Sequence, residues 1–308
     1  MTLLKTFVAA AAATIISITG AVAQQADGTV GNPYRVMLVP ADGGTEDGTK
    51  ADFKPLFDAV TKSTGLHFDI KVGQSYGNVI EAICGDVVEI AWFGPASYLP
   101  AKQRGCAELL AVDVSHGASV YYSGIYTRKD SGIAALTDLK GKDVAFGDAN
   151  STSSFVYPVA MIVSAGLDPV KDLGAIRMTG SHANSLKALA EGQVAAAAAS
   201  FDSFEKAMNQ GVLNPADFVA IAKSDPIPNP PLAMSTKLPA EVKQKLRDAF
   251  NTVHEAPGVN PDMIRGYGGK KVERYDAKIS EDMMAPALVT LSGVSGDLRA
   301  AILAKAAN

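Results

Sequence analysis

Asp143-Val144-Ala145-Phe146-Gly147-Asp148-Ala149-Asn150-Ser151-Thr152-Ser153-Ser154 is the stretch from which the rest of the chain can be read. A strand at Lys142 to Gly147 runs into a polar turn. Four hydroxyl residues then stand where the helical pattern of Phe155 to Ser164 begins, with Pro158 in its first turns, where a missing N–H is tolerated. The first N–H groups of a helix have no intrahelical acceptor and lie at the positive end of the helix dipole, so such a start suits an anion. One Ser is enough for an N-cap, and four hydroxyls in a row exceed what capping requires. The stretch lacks the Gly-x-x-x-x-Gly-Lys pattern of a P-loop.

Strand-like and helix-like segments alternate on both sides of it, which predicts an α/β fold with parallel strands and crossover helices. Upstream, strands fit Tyr34 to Pro40, Phe68 to Val72, Val87 to Trp92, Glu108 to Val114 and Ser119 to Thr127. A polar loop from Ala41 to Asp52 precedes a helix carrying Phe53, Leu56, Phe57 and Val60 on one face. Downstream, strands fit Ile176 to Met178, the small-residue run Val194 to Ala199, and Phe218 to Lys223. Helices fit Ala183 to Glu191, Phe204 to Asn209, Pro239 to His254 and the tail from Asp276 onward. Crossings near Tyr122 to Arg128 and Lys223 to Pro231 divide the chain into two lobes with a cleft between them. The expected division is 24–122 for the first segment of lobe 1, 123–223 for lobe 2, and 224–308 for the return to lobe 1 with C-terminal helices.

The chain has 308 residues, 47% of them hydrophobic and 19% charged, enough for two cores and too apolar for disorder. Its formal net charge of -4 argues against a nucleic-acid or anionic-membrane binder. Lys5, the apolar run Phe7 to Ile16 and the small-x-small pattern Ala21-Val22-Ala23 predict a cleaved export signal over residues 1–23. Its removal takes away one base and no acid, leaving a net charge of -5. Two cysteines remain, Cys84 and Cys106, and an oxidising compartment makes a disulfide between them plausible beside the alternative of two buried thiols.

Other residues at the expected sheet edges could face the cleft. His182 follows a short strand and could donate to an oxyanion, or be a solvated loop residue. Asp202 could meet a ligand cation or cap the next helix. Tyr76 and Tyr121 could bring phenol hydroxyls from the other lobe, and Trp92-Phe93-Gly94-Pro95 could form its wall. With four histidines and no recognisable metal motif or activated nucleophile, neither a metal, nor a cofactor, nor an enzymatic activity is expected.

In their order along the chain, Ser75-Tyr76-Gly77-Asn78-Val79-Ile80-Glu81-Ala82, Ile90 to Pro95, Asp148 to Ser153, Gly180-Ser181-His182 and the proline-rich turn Ser224 to Pro231 resemble the phosphonate-binding proteins of ABC importers. The resemblance covers nearly the whole chain after the export signal. It implies a type II periplasmic binding protein, likewise two-lobed, that closes on its ligand and delivers it to an inner-membrane permease, with a monomer expected. Carried over by position, Tyr76, Tyr121, Ser151, Thr152, Ser153 and His182 match residues that hold the phosphonate oxygens. Asp202 aligns with an acid that holds the amine of 2-aminoethylphosphonate, the ligand the resemblance favours. The pattern departs at Asn229-Pro230-Pro231, where a second acid can stand; Asp202 alone could suffice, Glu46 or Asp47 could replace the missing acid, or the ligand could be an alkylphosphonate, phosphite or phosphate. With a ceiling of about 1.5 kcal/mol per non-hydrogen atom, a ligand of about seven such atoms could reach roughly 10 kcal/mol, in the nanomolar to tens-of-nanomolar range. An enzyme acting on a phosphorylated metabolite and an exported scaffold are the competing classes, and the scaffold leaves Ser151 to Ser154 without a role.

Overall fold

The computed structural model describes residues 26–41 and 45–307, so the expected export signal lies outside the described residues. Strand β1 (Tyr34–Leu38) leads into helix α1 (Glu46–Thr64), β2 (Phe68–Val72), α2 (Tyr76–Cys84), β3 (Ile90–Trp92), α3 (Pro95–Gln103) and β4 (Ala107–Val114). β1 pairs in parallel with both β2 and β3. The aromatic and aliphatic residues of α1 predicted to face inward do so: Phe53, Leu56, Phe57 and Val60 are buried, and the Phe53 ring lies 4.1 Å from that of Trp92. Residues 45–52, expected as loop, instead open α1. Thr45 accepts from Gly48 N, and Glu46 and Asp47 face the positive helix end, so capping overrides the Gly and Asp that read as loop.

The chain next forms β5 (Val120–Tyr121) and β6 (Ser123–Arg128), which the sequence presented as one strand. They separate at Tyr122 because β5 pairs with β11 (Ile227–Pro228) in a ribbon between the lobes, whereas β6 enters a second sheet. That sheet also holds β7 (Val144–Phe146), β8 (Ile176–Met178), β9 (Ala196–Ser200) and β10 (Phe218–Lys223), in the order β10-β6-β9-β7-β8. Helices α4 (Tyr157–Ser164), α5 (His182–Ala190) and α6 (Phe201–Asn209) belong to this lobe. The alanines of β9 are explained by its central position. Ala196 and Ala198 pack into one core and Ala197 and Ala199 into another on the opposite face, so the strand is buried on both sides and small side chains let the layers approach.

After β11 the chain returns through β12 (Leu232–Ser235), α7 (Ala240–Thr252) and β13 (Arg274–Asp276). β12 is antiparallel to both β3 and β4, completing a six-stranded sheet in the order β13-β4-β12-β3-β1-β2. Two findings depart from the expected organisation of the tail. Residues Arg274–Asp276 form an edge strand on β4 before any helix begins. The C-terminal helices α8 (Ala285–Gly293) and α9 (Gly296–Ala306), expected to stay with lobe 1, bring Val294 and Ile302 into the core of lobe 2. Arg299 donates to Ala149 O, and Lys305 donates to Val170 O and Leu173 O, which fixes α9 there. Cys84 and Cys106 are joined in a disulfide within lobe 1. Among the described residues, no single helix is long and apolar enough to cross a membrane.

Candidate functional site

The hydroxyl cluster lies on a helix start whose unusual first turn follows from its sequence. Asp148 Oδ1 accepts from Asn150 N at 2.7 Å and Asp148 O from Ser151 N at 2.8 Å, turning the chain after β7. Ser151 then caps the helix, its Oγ accepting from Ser154 N. The turn Thr152–Val156 is wide, with Val156 N bonding five residues back to Ser151 O at 3.1 Å. Pro158 has no N–H for Ser154 O, and Gly147 N occupies that carbonyl at 3.1 Å. Gly147 makes this approach possible, because any Cβ there would collide with Ser154 Oγ. Ser151, Thr152 and Ser153 are consequently held buried at the positive end of the helix.

His182 is the first residue of α5, beneath the Ser181 cap, and is 1% exposed, so it is not a solvated loop histidine. The backbone N–H of Ser200 donates to its Nδ1 at 3.0 Å, and the Ser203 hydroxyl lies 3.2 Å from the same nitrogen. Nδ1 therefore accepts and the neutral ring carries its proton on Nε2. Burial pushes the imidazole down to about 3, against the opposing pull of Asp202, so the ring is neutral near pH 7. Nε2 lies 3.3 Å from Ser151 Oγ and 3.2 Å from Tyr267 OH. It is a donor directed at the hydroxyl cluster.

Lobe 1 closes the other side. Tyr121, on the β5 ribbon, brings its buried phenol to the side chains of Ser153 and Thr152, and burial pushes that phenol up. Tyr76, the first residue of α2, is buried, and its N–H donates to Asp148 Oδ2 across the cleft at 3.2 Å. Ala96 N, in the first turn of α3, donates to Thr152 Oγ1 at 2.8 Å, and a Cβ on Gly94 would come within 2.9 Å of that oxygen. The starts of α2, α3 and α5 thus bond to the loop and first turn of the Thr152–Ser164 helix, and the start of α6 is linked to them through His182 Nδ1. Of the proposed wall, Gly94 faces Thr152, while the Trp92 indole N–H is tied to Pro230 O and its ring belongs to the core.

Asp202 lies in the first turn of α6, within electrostatic reach of His182 and Tyr121, and Lys270 of lobe 1 meets it at 2.9 Å. A second interlobe pair, Lys206 with Asp52, borders with Asp202, Lys270 and Tyr267 a crevice of about 350 Å³. Neither Tyr267 nor Lys270 was anticipated from sequence; the one local signal is the turn Gly266-Tyr267-Gly268-Gly269-Lys270, in which Gly268 and Gly269 adopt positive φ. Glu46, suggested as a replacement acid, pairs with Lys50 along α1, and Asp47 is exposed beside it. Asn229 is buried and donates to Asp113 O at 2.9 Å. The Asp113 carboxylate is fully buried with no hydrogen-bond partner for either oxygen among the described residues, and burial pushes it up to about 6.

Residues 44–278 match the family of phosphonate periplasmic substrate-binding proteins of ABC transporters. The chain belongs to that family. Its members are binding proteins of ABC transporters, not enzymes, and they work in the periplasm. The phosphate-import protein PhnD of Mycolicibacterium smegmatis is 30% identical over 233 residues, 71% of this chain and 72% of that protein. The phosphonates-binding periplasmic protein of Escherichia coli is 28% identical over 69% of this chain and 64% of its own length. A binding protein component of an ABC phosphonate transporter from Pseudomonas aeruginosa superposes with a TM-score of 0.74 at 24% identity, covering 89% of this chain and 96% of that one. PhnD1 of Prochlorococcus marinus, solved with methylphosphonate, gives 0.69 at 14% identity over 83% of this chain and 96% of that one. At these identities the two structures speak for the fold, which is the type II periplasmic binding-protein fold in two α/β lobes.

Proposed function

We propose that this binding protein captures the tetrahedral anionic head of a small phosphonate between its lobes and delivers it to the permease of an ABC importer. The observation that carries this reading is the convergence of Ser151, Thr152, Ser153, the His182 Nε2–H and the Tyr121 phenol on one helix start. These donors are neutral, so they can solvate an anion in a chain of net negative charge without a basic surface. Hydrogen bonds to a charged partner contribute roughly 1.5 to 3 kcal/mol each, so a handful offsets the anion's desolvation.

Tyr76, at the opposing helix start, is assigned to the same oxyanion. 2-Aminoethylphosphonate is the ligand for which Asp202 would serve as amine partner. Alkylphosphonates, phosphite and phosphate share the oxyanion and lack the amine. We take the protein to act as a periplasmic monomer, after removal of residues 1–23, with no nucleic-acid partner. Calorimetry with 2-aminoethylphosphonate, methylphosphonate, phosphite and phosphate tests the proposal: at least one should bind tightly with one-to-one stoichiometry. No heat and no thermal shift with any of the four would refute it.

A further inference from the structure

The acid that would read a ligand amine already holds an ammonium supplied by the protein. Asp202 Oδ2 lies 2.9 Å from Lys270 Nζ, with side-chain exposures of 25% and 28%, so the pair is largely withdrawn from water. The two residues come from opposite lobes. Lys270 is carried by a short closed turn, in which Gly266 N donates to Lys270 O at 2.8 Å and Gly269 N to Gly266 O at 3.0 Å. The same turn places Tyr267 against His182, so the ammonium and the phenol are presented to the site together. Asp113, buried below the turn next to Gly266, lies within electrostatic reach of both Lys270 and Asp202 and adds to the negative field around the ammonium.

We propose that Lys270 is a specificity-determining residue, a built-in cation that takes the place of a ligand amine on Asp202 and makes the receptor prefer amine-free phosphonates and related oxyanions to 2-aminoethylphosphonate. This rests on the phosphonate reading above and selects among its ligands. An aminophosphonate reaching Asp202 meets a like charge, and must either displace Lys270 and leave it half-buried without its partner, or share one carboxylate with it. An amine-free ligand leaves the pair intact and gains the attraction of the ammonium for its own negative charge. The pair also neutralises Asp202, which would otherwise repel a phosphonate dianion bound beside it.

Calorimetry of methylphosphonate and 2-aminoethylphosphonate on the wild-type protein, Lys270→Ala, Lys270→Gln and Lys270→Arg tests this. The wild type should bind methylphosphonate at least about tenfold more tightly than the aminophosphonate. Lys270→Ala and Lys270→Gln should shift that ratio about tenfold or more toward the aminophosphonate, and Lys270→Arg should keep the wild-type order. Adding Asp202→Asn to Lys270→Gln should remove the gain. Thermal melts identify any variant that fails to fold, and the two neutral substitutions provide independent readings. A wild type that prefers the aminophosphonate, or a ratio that neutral substitutions leave unchanged, overturns the proposal while the phosphonate reading stands. Binding of neither ligand, nor of phosphite or phosphate, overturns both.

Discussion

The two lobes contribute to the cleft in different ways. Lobe 2 offers donors built into regular structure: Ser151 caps a helix, His182 opens another, and Ser200 N fixes the imidazole tautomer from the end of β9. Lobe 1 adds the starts of α2 and α3, through Tyr76 and Ala96, but its other groups are side chains on connections, Tyr121 on the ribbon and Tyr267 and Lys270 on the glycine turn. The first half-site holds most of its geometry through hydrogen bonds within its own lobe. The second acquires its partners only when the lobes meet. Affinity should therefore depend most on lobe 2, and selectivity and closure on lobe 1.

The largest expected effect is in lobe 2. Replacing Ser151, Thr152 and Ser153 together with Ala, Val and Ala should weaken binding of the best ligand about a thousandfold or more, the equivalent of three charge-assisted hydrogen bonds. A loss under tenfold in calorimetry would mean that the hydroxyl cluster is not the anion site. The next effect concerns stability in lobe 1. Asp113 has a folded value of about 6 against an ordinary 3.8, so ionising it in the folded protein costs stability that is absent below about pH 4, grows as pH rises, and is complete above about pH 6. Asp113→Asn should therefore be more stable by about 3 kcal/mol at pH 7.5, with the difference vanishing near pH 4 in urea titrations. An equal or less stable variant at pH 7.5 would show that the carboxylate has partners.

His182 has the opposite sign. A histidine held at about 3 adds no cost above its unfolded value near 6.5 and progressively destabilises the fold as pH falls toward 3. Tyr267→Phe removes one hydroxyl from His182 while keeping the ring, and should weaken binding by about fivefold, near 1 kcal/mol, with an unchanged melt. The smallest effect belongs to the outer interlobe pair. Lys206→Gln should cost about two- to fivefold in affinity by favouring the open form, with the loss shrinking as salt increases; a salt-independent loss would place Lys206 in the site.

The sequence expressed the two halves unequally for the same physical reason. Ser151 to Ser154, His182 and Asp202 each follow a strand and open a helix, and that local pattern is readable from a dozen residues. Tyr267 is brought to His182 from 85 positions away by a turn with no apolar period, and nothing near it in sequence points to the cleft. Asp113 is a single acid among the apolar residues Leu109 to Val114, and its full burial depends on the turn that later covers it. β12 is four residues long and sits between β3 and β4 through pairings that no local pattern specifies. The fold class was readable because alternation of strand and helix is itself local. The destination of α8 and α9 was not, since their apolar residues suit either core.

The path of that tail bears on how a ligand bound as proposed would be released. Two crossings joined side by side in the β5–β11 ribbon would let one lobe both swing and swivel relative to the other. The tail leaves β13 in lobe 1, passes α8 against β11 of the ribbon and ends with α9 anchored on lobe 2 by Arg299 and Lys305, adding a third crossing beside the other two. Three crossings gathered along one side of the cleft make a hinge broader than the ribbon alone, so opening would be mainly a swing with little swivel. In such a swing Tyr267 and Lys270, on one turn, would withdraw together, and an anion bound as proposed would be left on the helix start without the groups that the turn presents.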